Sequence, residues 1–176
     1  METITIVVYQ DDVYDEVSKA TDYTGSKLID GDALARDRIL AGDYDLSELG
    51  RFWEESVSAA NENLKEMLVS GSSSKVYSSE SNNYSPESGM IAGSDGLRIG
   101  KTAYKAVIEV SKSFDKGLKD SVESTLRSFF IASIIAQWFK FANKGEAQDY
   151  FVQASDMMET AERLLYSRKK PTRPTD

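Results

Sequence analysis

The residues Gly100-Lys101-Thr102 carry the ending of a phosphate-binding loop, a motif whose backbone N–H groups cradle phosphates while its lysine reaches the outermost one. That motif needs its first glycine five residues before the second, and position 95 holds Asp95, with Gly96 one step out of place. The flanks disagree too: a P-loop lies between a strand and a helix, whereas here a serine-rich stretch leads into an alternating, strand-like one. Turn glycines account for the match. Asp30-Gly31-Asp32 resembles the opening of a calcium loop, but Leu34 occupies the next ligand position and no late glutamate follows at the required spacing. The acidic set Asp11, Asp12, Asp15 and Glu16 is explained by capping and by the favourable field at a helix N-terminus. Paired carboxylates of the kind that cleave glycosides are a matter of distance in the fold, and 29 acidic residues make chance pairs plentiful. Histidine and cysteine are both absent, which removes the commonest zinc ligands, the commonest general base near neutral pH and every disulfide. The expectation is a chain that is not an enzyme and holds no cofactor and no metal.

A length of 176 residues fits one domain, and 40% hydrophobic with 28% charged residues falls in the range of soluble globular chains. The start Met1-Glu2-Thr3 shows no basic segment before an apolar one, so synthesis in the cytoplasm without a signal peptide is expected. A net charge of -8 argues against general duplex binding, which normally uses a basic surface. The positive charge is crowded at one end, however: Arg168, Lys169, Lys170 and Arg173 are interleaved with Pro171 and Pro174, so 168–176 reads as an extended basic arm. Three uses are open to it. Arg168 and Lys169 can complement the negative end of the last helix, the arm can dock on an acidic neighbour, or it can touch DNA passing nearby. Docking on a neighbouring subunit is favoured, because the body is acidic and identical copies would complement one another.

These residues must be positioned by helices for the most part. Residues 3–9 (TITIVVY) predict a strand, and 101–111 alternate with Tyr104, Ala106, Ile108 and Val110 on one face, which makes them the natural partner. Between them, Val13, Val17 and Ala20 mark a helix opened by Asp11 or Asp12 and broken at Tyr23-Thr24-Gly25, and 33–41 predict a short helix closed by Gly42. A longer helix runs from Asp45 with Leu46, Leu49, Trp53, Val57, Ala60, Leu64 and Met67 or Leu68 on its stripe. Residues 70–100 are too rich in serine, glycine and asparagine to order themselves and read as an insertion loop. Asp115 or Asp120 opens a helix to about Ala142, and after Asn143-Lys144-Gly145 a last helix carries Ala147, Tyr150, Phe151, Ala154, Met158, Ala161 and Leu165, so the two form an antiparallel hairpin.

Over 126–142 (LRSFFIASIIAQWFKFA) the apolar residues cover nearly the whole circumference, and such a helix must be buried all round, by its own chain or by another subunit. Arg127, Gln137 and Lys140 make it unfit to span a membrane. Phe129, Phe130, Ile134, Trp138, Phe139 and Phe141 are the core-or-interface residues; a ligand cavity lined by these aromatics is the lesser reading, since aromatics at helical spacing usually fill interiors. The fold class is mainly α: a single domain over 1–176, a helical bundle with a small two-stranded β element, an insertion loop at 70–100 and a tail at 168–176. The apolar penultimate helix and the segments around it are expected to be satisfied by company in a larger assembly.

Five stretches carry a resemblance: DDVYDEVSKATDYTG (11–25), RDRILAGDYD (36–45), RFWEESVSAANENL (51–64), WFKFANKGEAQDYF (138–151) and LLYSRKKPTRP (164–174). They resemble small virion proteins from the structural modules of phages and prophages of gut bacteria, including crAss-like phages. The order of elements is similar to that of head-to-tail connector, or adaptor, subunits of tailed bacteriophages. The resemblance implies a homo-oligomeric ring in the virion neck, with copies of itself, the portal protein and other neck or tail proteins as partners, DNA passing through the channel without sequence-specific binding, and no membrane. The serine-rich insertion departs from that pattern. The competing expectation is a helical interaction module, of a phage or a bacterium, that captures a partner through 126–142.

Overall fold

A computed structural model describes residues 1–28, 39–42, 45–76 and 101–169. The β-branched run near the start forms β1 (Glu2–Tyr9) and passes directly into α1 (Gln10–Leu28), which carries Asp11 and Asp12 in its first turn. After α2 (Leu46–Asn63) come β2 (Leu68–Val76) and β3 (Lys101–Val110), then a 3-10 turn (Lys116–Leu118), α3 (Lys119–Ala142) and α4 (Lys144–Leu165). Asp115 caps the 3-10 turn by accepting from the Gly117 N–H, and Asp120 sits in the first turn of α3, so each of the two expected helix starters serves a start of its own.

β1 and β3 pair antiparallel as the alternation predicts, with Ile4 opposite Ile108, Ile6 opposite Ala106 and Val8 opposite Tyr104. The side chains of this register turn inward, while Thr3, Lys105 and Glu109 are exposed on the other face. The sheet has three strands, not two, in the order β1-β3-β2. The third, LVSGSSSKV, was expected as a helix end and the start of a loop; it pairs antiparallel with β3, Ser72 opposite Lys105 and Ser74 opposite Ala103. Ladder bonds come from the backbone and are indifferent to side chains, and α2 supplies what the serines lack. The Trp53 Nε1–H donates to Ser73 Oγ at 2.9 Å, and Asn61 Nδ2 donates to the Gly71 carbonyl at 3.2 Å while its Oδ1 accepts from the Tyr104 hydroxyl at 2.9 Å. A Cβ at Gly71 would meet the Asn61 amide, so a side chain there would push Asn61 out of its present place. α2 therefore stops at Asn63, short of the expected Met67 or Leu68, and a turn closed by Met67 N–H to the Leu64 carbonyl delivers the chain to β2.

α1 continues through Tyr23-Thr24-Gly25, where a break was expected. Thr21 is buried and bonds backward to the Val17 carbonyl, and its oxygen also accepts from the Ala41 N–H at 3.1 Å, so a tertiary contact holds this turn in place. The expected helix at 33–41 lies mostly outside the described residues; within its end, Ile39 and Ala41 are buried.

α3 runs through the middle. Phe130 stacks on Trp53 with centroids 4.7 Å apart, and Tyr104 and Phe129 approach the same ring at 5.2 and 5.5 Å. Ala132, Ser133, Ile134, Ile135, Ala136 and Gln137 are buried consecutively, so the chain itself encloses this part of the apolar stretch. Of the six core-or-interface residues, Phe129, Phe130, Ile134 and Phe139 are core. Trp138 is half-buried, its Nε1–H donating to the Ile39 carbonyl at 2.7 Å, and Phe141 is 76% exposed. Asn143 alone separates α3 from α4; Phe139 meets Tyr150 and the Lys140 ammonium lies over the Phe151 ring, the pairing of an antiparallel hairpin. No helix among the described residues is long and apolar enough to cross a membrane.

The tail departs from the expected free arm in its first two residues. Arg168 forms a β-bridge with Phe114, and the Lys169 N–H donates to the Ser113 carbonyl at 2.9 Å, because backbone groups leaving a helix take partners where they find them. Lys170, Pro171, Arg173 and Pro174 lie outside the described residues.

These placements rank three substitutions. Trp53→Ala, which empties a fully buried site, should cost about 3–5 kcal/mol in urea unfolding. Trp138→Phe should cost about 0.5–1.5 kcal/mol for the lost hydrogen bond, and Phe141→Ser should stay within about 0.5 kcal/mol. An order with Phe141→Ser most damaging would contradict this packing.

Candidate functional site

On the side of α3 away from the sheet, α2 and α4 stand apart enough to leave a groove of about 490 Å³. Its floor is Phe129, Ser133 and Gln137, four residues apart and hence on one helical face. One wall repeats the same spacing on α2 with Glu55, Ala59 and Asn63, and the other comes from α4, where Phe151, Ala154 and Met158 provide apolar surface and Glu159 and Glu162 provide charge. Ala59 and Ala154, carrying only a methyl each, keep the walls from closing.

The polar floor is uneven in how it is satisfied. Ser56 Oγ donates to the Phe52 carbonyl at 2.8 Å and lies 2.8 Å from Ser133 Oγ, so with one proton per hydroxyl it is Ser133 that donates to Ser56. Gln137, only 7% exposed, makes no side-chain hydrogen bond to the described residues, and its amide faces the groove. Three carboxylates, Glu55, Glu159 and Glu162, border the groove against one cation, Lys140, whose ammonium sits 4.6 Å from the centre of the Phe151 ring. The chemistry on offer is recognition of a positively charged, partly apolar segment with one peptide group to satisfy.

A second recess of about 300 Å³ lies where β1 meets α1 and α3, lined by Tyr9, Asp12, Asp120, Glu123 and Arg127 among others. Burial pushes the Glu123 carboxyl above the usual carboxylate range, with Asp120 adding to the rise and Lys119 opposing it; its hydrogen bond with the Val7 backbone also opposes the rise and ties α3 to strand β1. Elsewhere, burial, followed by the Glu54 and Asp11 charges, pushes the Tyr14 hydroxyl up to about 12.

The sequence motifs are not brought together. Lys101 and Thr102 open β3, as their alternation implies, and Gly100 lies outside the described residues, as does Asp30-Gly31-Asp32. Asp11 and Asp12 occupy the first turn of α1, which already starts at Gln10, so their place fits the helix-dipole part of the expectation and neither stands at the cap position. Of the aromatic set, Phe129 alone reaches the groove. Sequence reasoning missed the groove itself, although a signal was present: Ser133 and Gln137 are polar interruptions four residues apart in an otherwise apolar helix, at the step that aligns them on one face. No known protein family, curated protein or solved structure matches the chain.

Gln137→Leu should leave stability unchanged or raise it by up to about 1 kcal/mol, since an amide without a protein partner is replaced by apolar volume, whereas Ser133→Val should lower it by about 1 kcal/mol; chemical denaturation reads both. For Glu123, the raised folded-state value means that its contribution to stability is present below the ordinary glutamate pKa and is lost as pH rises through the raised one. Glu123→Gln, which keeps an acceptor, should therefore match the wild type near about pH 4 and gain on it near about pH 7, by less than about 1 kcal/mol for so partly exposed a group. A gain that appears only at acid pH would reverse the assignment.

Proposed function

We propose that this protein is a structural subunit of a bacteriophage virion, one copy in a ring at the neck that joins the portal to the tail and continues the DNA channel. The resemblance of residues 11–25, 36–45, 51–64, 138–151 and 164–174 to phage virion proteins supports this reading. The observation that carries it is that one chain has a carboxylate-bordered groove in its fold and a basic terminus in its sequence. Two unlike, mutually attractive patches favour a heterologous contact, and a heterologous contact repeated by a closing rotation makes a ring.

In this reading the work is mechanical and electrostatic. The α3–α4 hairpin and α2 form the wall, and the net charge of -8 keeps a passing duplex from adhering, because like charges repel. Neighbouring copies and the portal are held through the charged termini and the groove, with no sequence read from the DNA.

Truncation tests the role of the arm. Removing 170–176 spares the backbone bonds of Arg168 and Lys169, so unfolding should shift by less than about 0.5 kcal/mol. The truncated chain should fail to enter particles when the phage genome encodes only that version, as judged by antibody against the chain on purified virions. Normal particles from the truncated version would remove the arm from assembly, and absence of the full chain from purified wild-type virions would end the virion reading.

A further inference from the structure

The groove between α2, α3 and α4 and the end of the chain match in more than net charge. The terminal sequence Lys170-Pro171-Thr172-Arg173-Pro174 favours the polyproline conformation, which has three residues per turn and a rise of about 3.1 Å per residue. Residues three apart then share an edge: Pro171 and Pro174 lie on one, and Lys170 and Arg173 on the next. The groove offers the complement of each. The half-buried Phe151 presents apolar surface to a proline edge, while Glu55, Glu159 and Glu162 border the groove with the charge that a basic edge needs. A polyproline backbone makes no internal hydrogen bonds, and Gln137 holds out one donor and one acceptor in the floor, 7% exposed and without a side-chain partner among the described residues.

We infer that this groove is the receptor for the basic C-terminal arm of a second copy of the chain, docked in extended form with its prolines toward Phe151 and its cations among the three glutamates. This deepens the ring reading and rests on it. In the same molecule the backbone of Arg168 and Lys169 is tied to Phe114 and Ser113, in the segment before α3.

The chain has no cysteine, so introduced thiols are unique. Full-length Ser155→Cys, placed in the groove wall, is mixed with a tagged full-length Thr172→Cys and oxidised, with Ser121→Cys at an exposed site near the start of α3 as the control. Disulfide between copies is expected at about ten times the control yield, and it should return to the control level when the Ser155→Cys copy also carries Glu159→Lys and Glu162→Lys, where repulsion replaces attraction. Yield no greater than the control, or yield indifferent to charge reversal, would overturn the docking site. A chain carrying both cysteines that forms only an internal bridge would give the groove to its own arm and overturn the second-copy assignment. Light scattering on the same samples separates this inference from the ring: assembly without cross-linking retires the groove alone, discrete cross-linked pairs that never close retire the ring alone, and monomers without cross-links retire both.

Discussion

The indole of Trp53 is the contact on which the rest of the molecule depends. One face stacks on Phe130 of α3, a T-shaped contact joins it to Tyr14 of α1, and the N–H is spent on Ser73 of β2, so four elements meet through one side chain. A fully buried Trp brings a large apolar area and one polar group that must be paired. The pairing here is what recruits a serine-rich strand into the sheet. Without a donor aimed at Ser73 and an amide aimed at Gly71, the sequence LVSGSSSKV has little reason to lie beside β3.

That dependence explains which parts of the fold were legible in the sequence. β1 and β3 could be read because their alternation is intrinsic, and the α3–α4 hairpin because its apolar stripes and its short turn are local. β2 could not, since its stabilising bonds come from Trp53 and Asn61, and nothing in a run of serines announces a tryptophan above it. The end of α2 was misplaced for the same reason: Leu64 and Met67 continue the helical spacing, but Met67 is spent on the turn that feeds β2, where its carbonyl accepts from Glu109. Phe139 and Phe141, two residues apart on one helix, end up buried and exposed respectively, as the helical step requires, although composition treats them alike.

The groove was illegible in a different way. It is a property of the distance between α2 and α4, which sequence does not contain, and of two polar residues that composition treats as flaws in an apolar helix. Their treatment by the fold differs. Ser133 is absorbed into the core through Ser56, at no cost in unpaired groups, while Gln137 is left facing a space. A core built for stability alone would place an aliphatic side chain there.

The register of the sheet also sets an order in time. β1 ends at Tyr9, and its strand partner among the described residues begins at Lys101, so β1 is synthesised well before the strand it pairs with. At synthesis rates of about 5–20 residues per second, the apolar TITIVV stretch waits for about 5–20 s with its backbone groups open. Short β-prone segments exposed in this way seed intermolecular sheets. High-level expression therefore strains this chain at its beginning, during translation, and the yield of folded protein is governed by how well that one strand is shielded until its partner arrives.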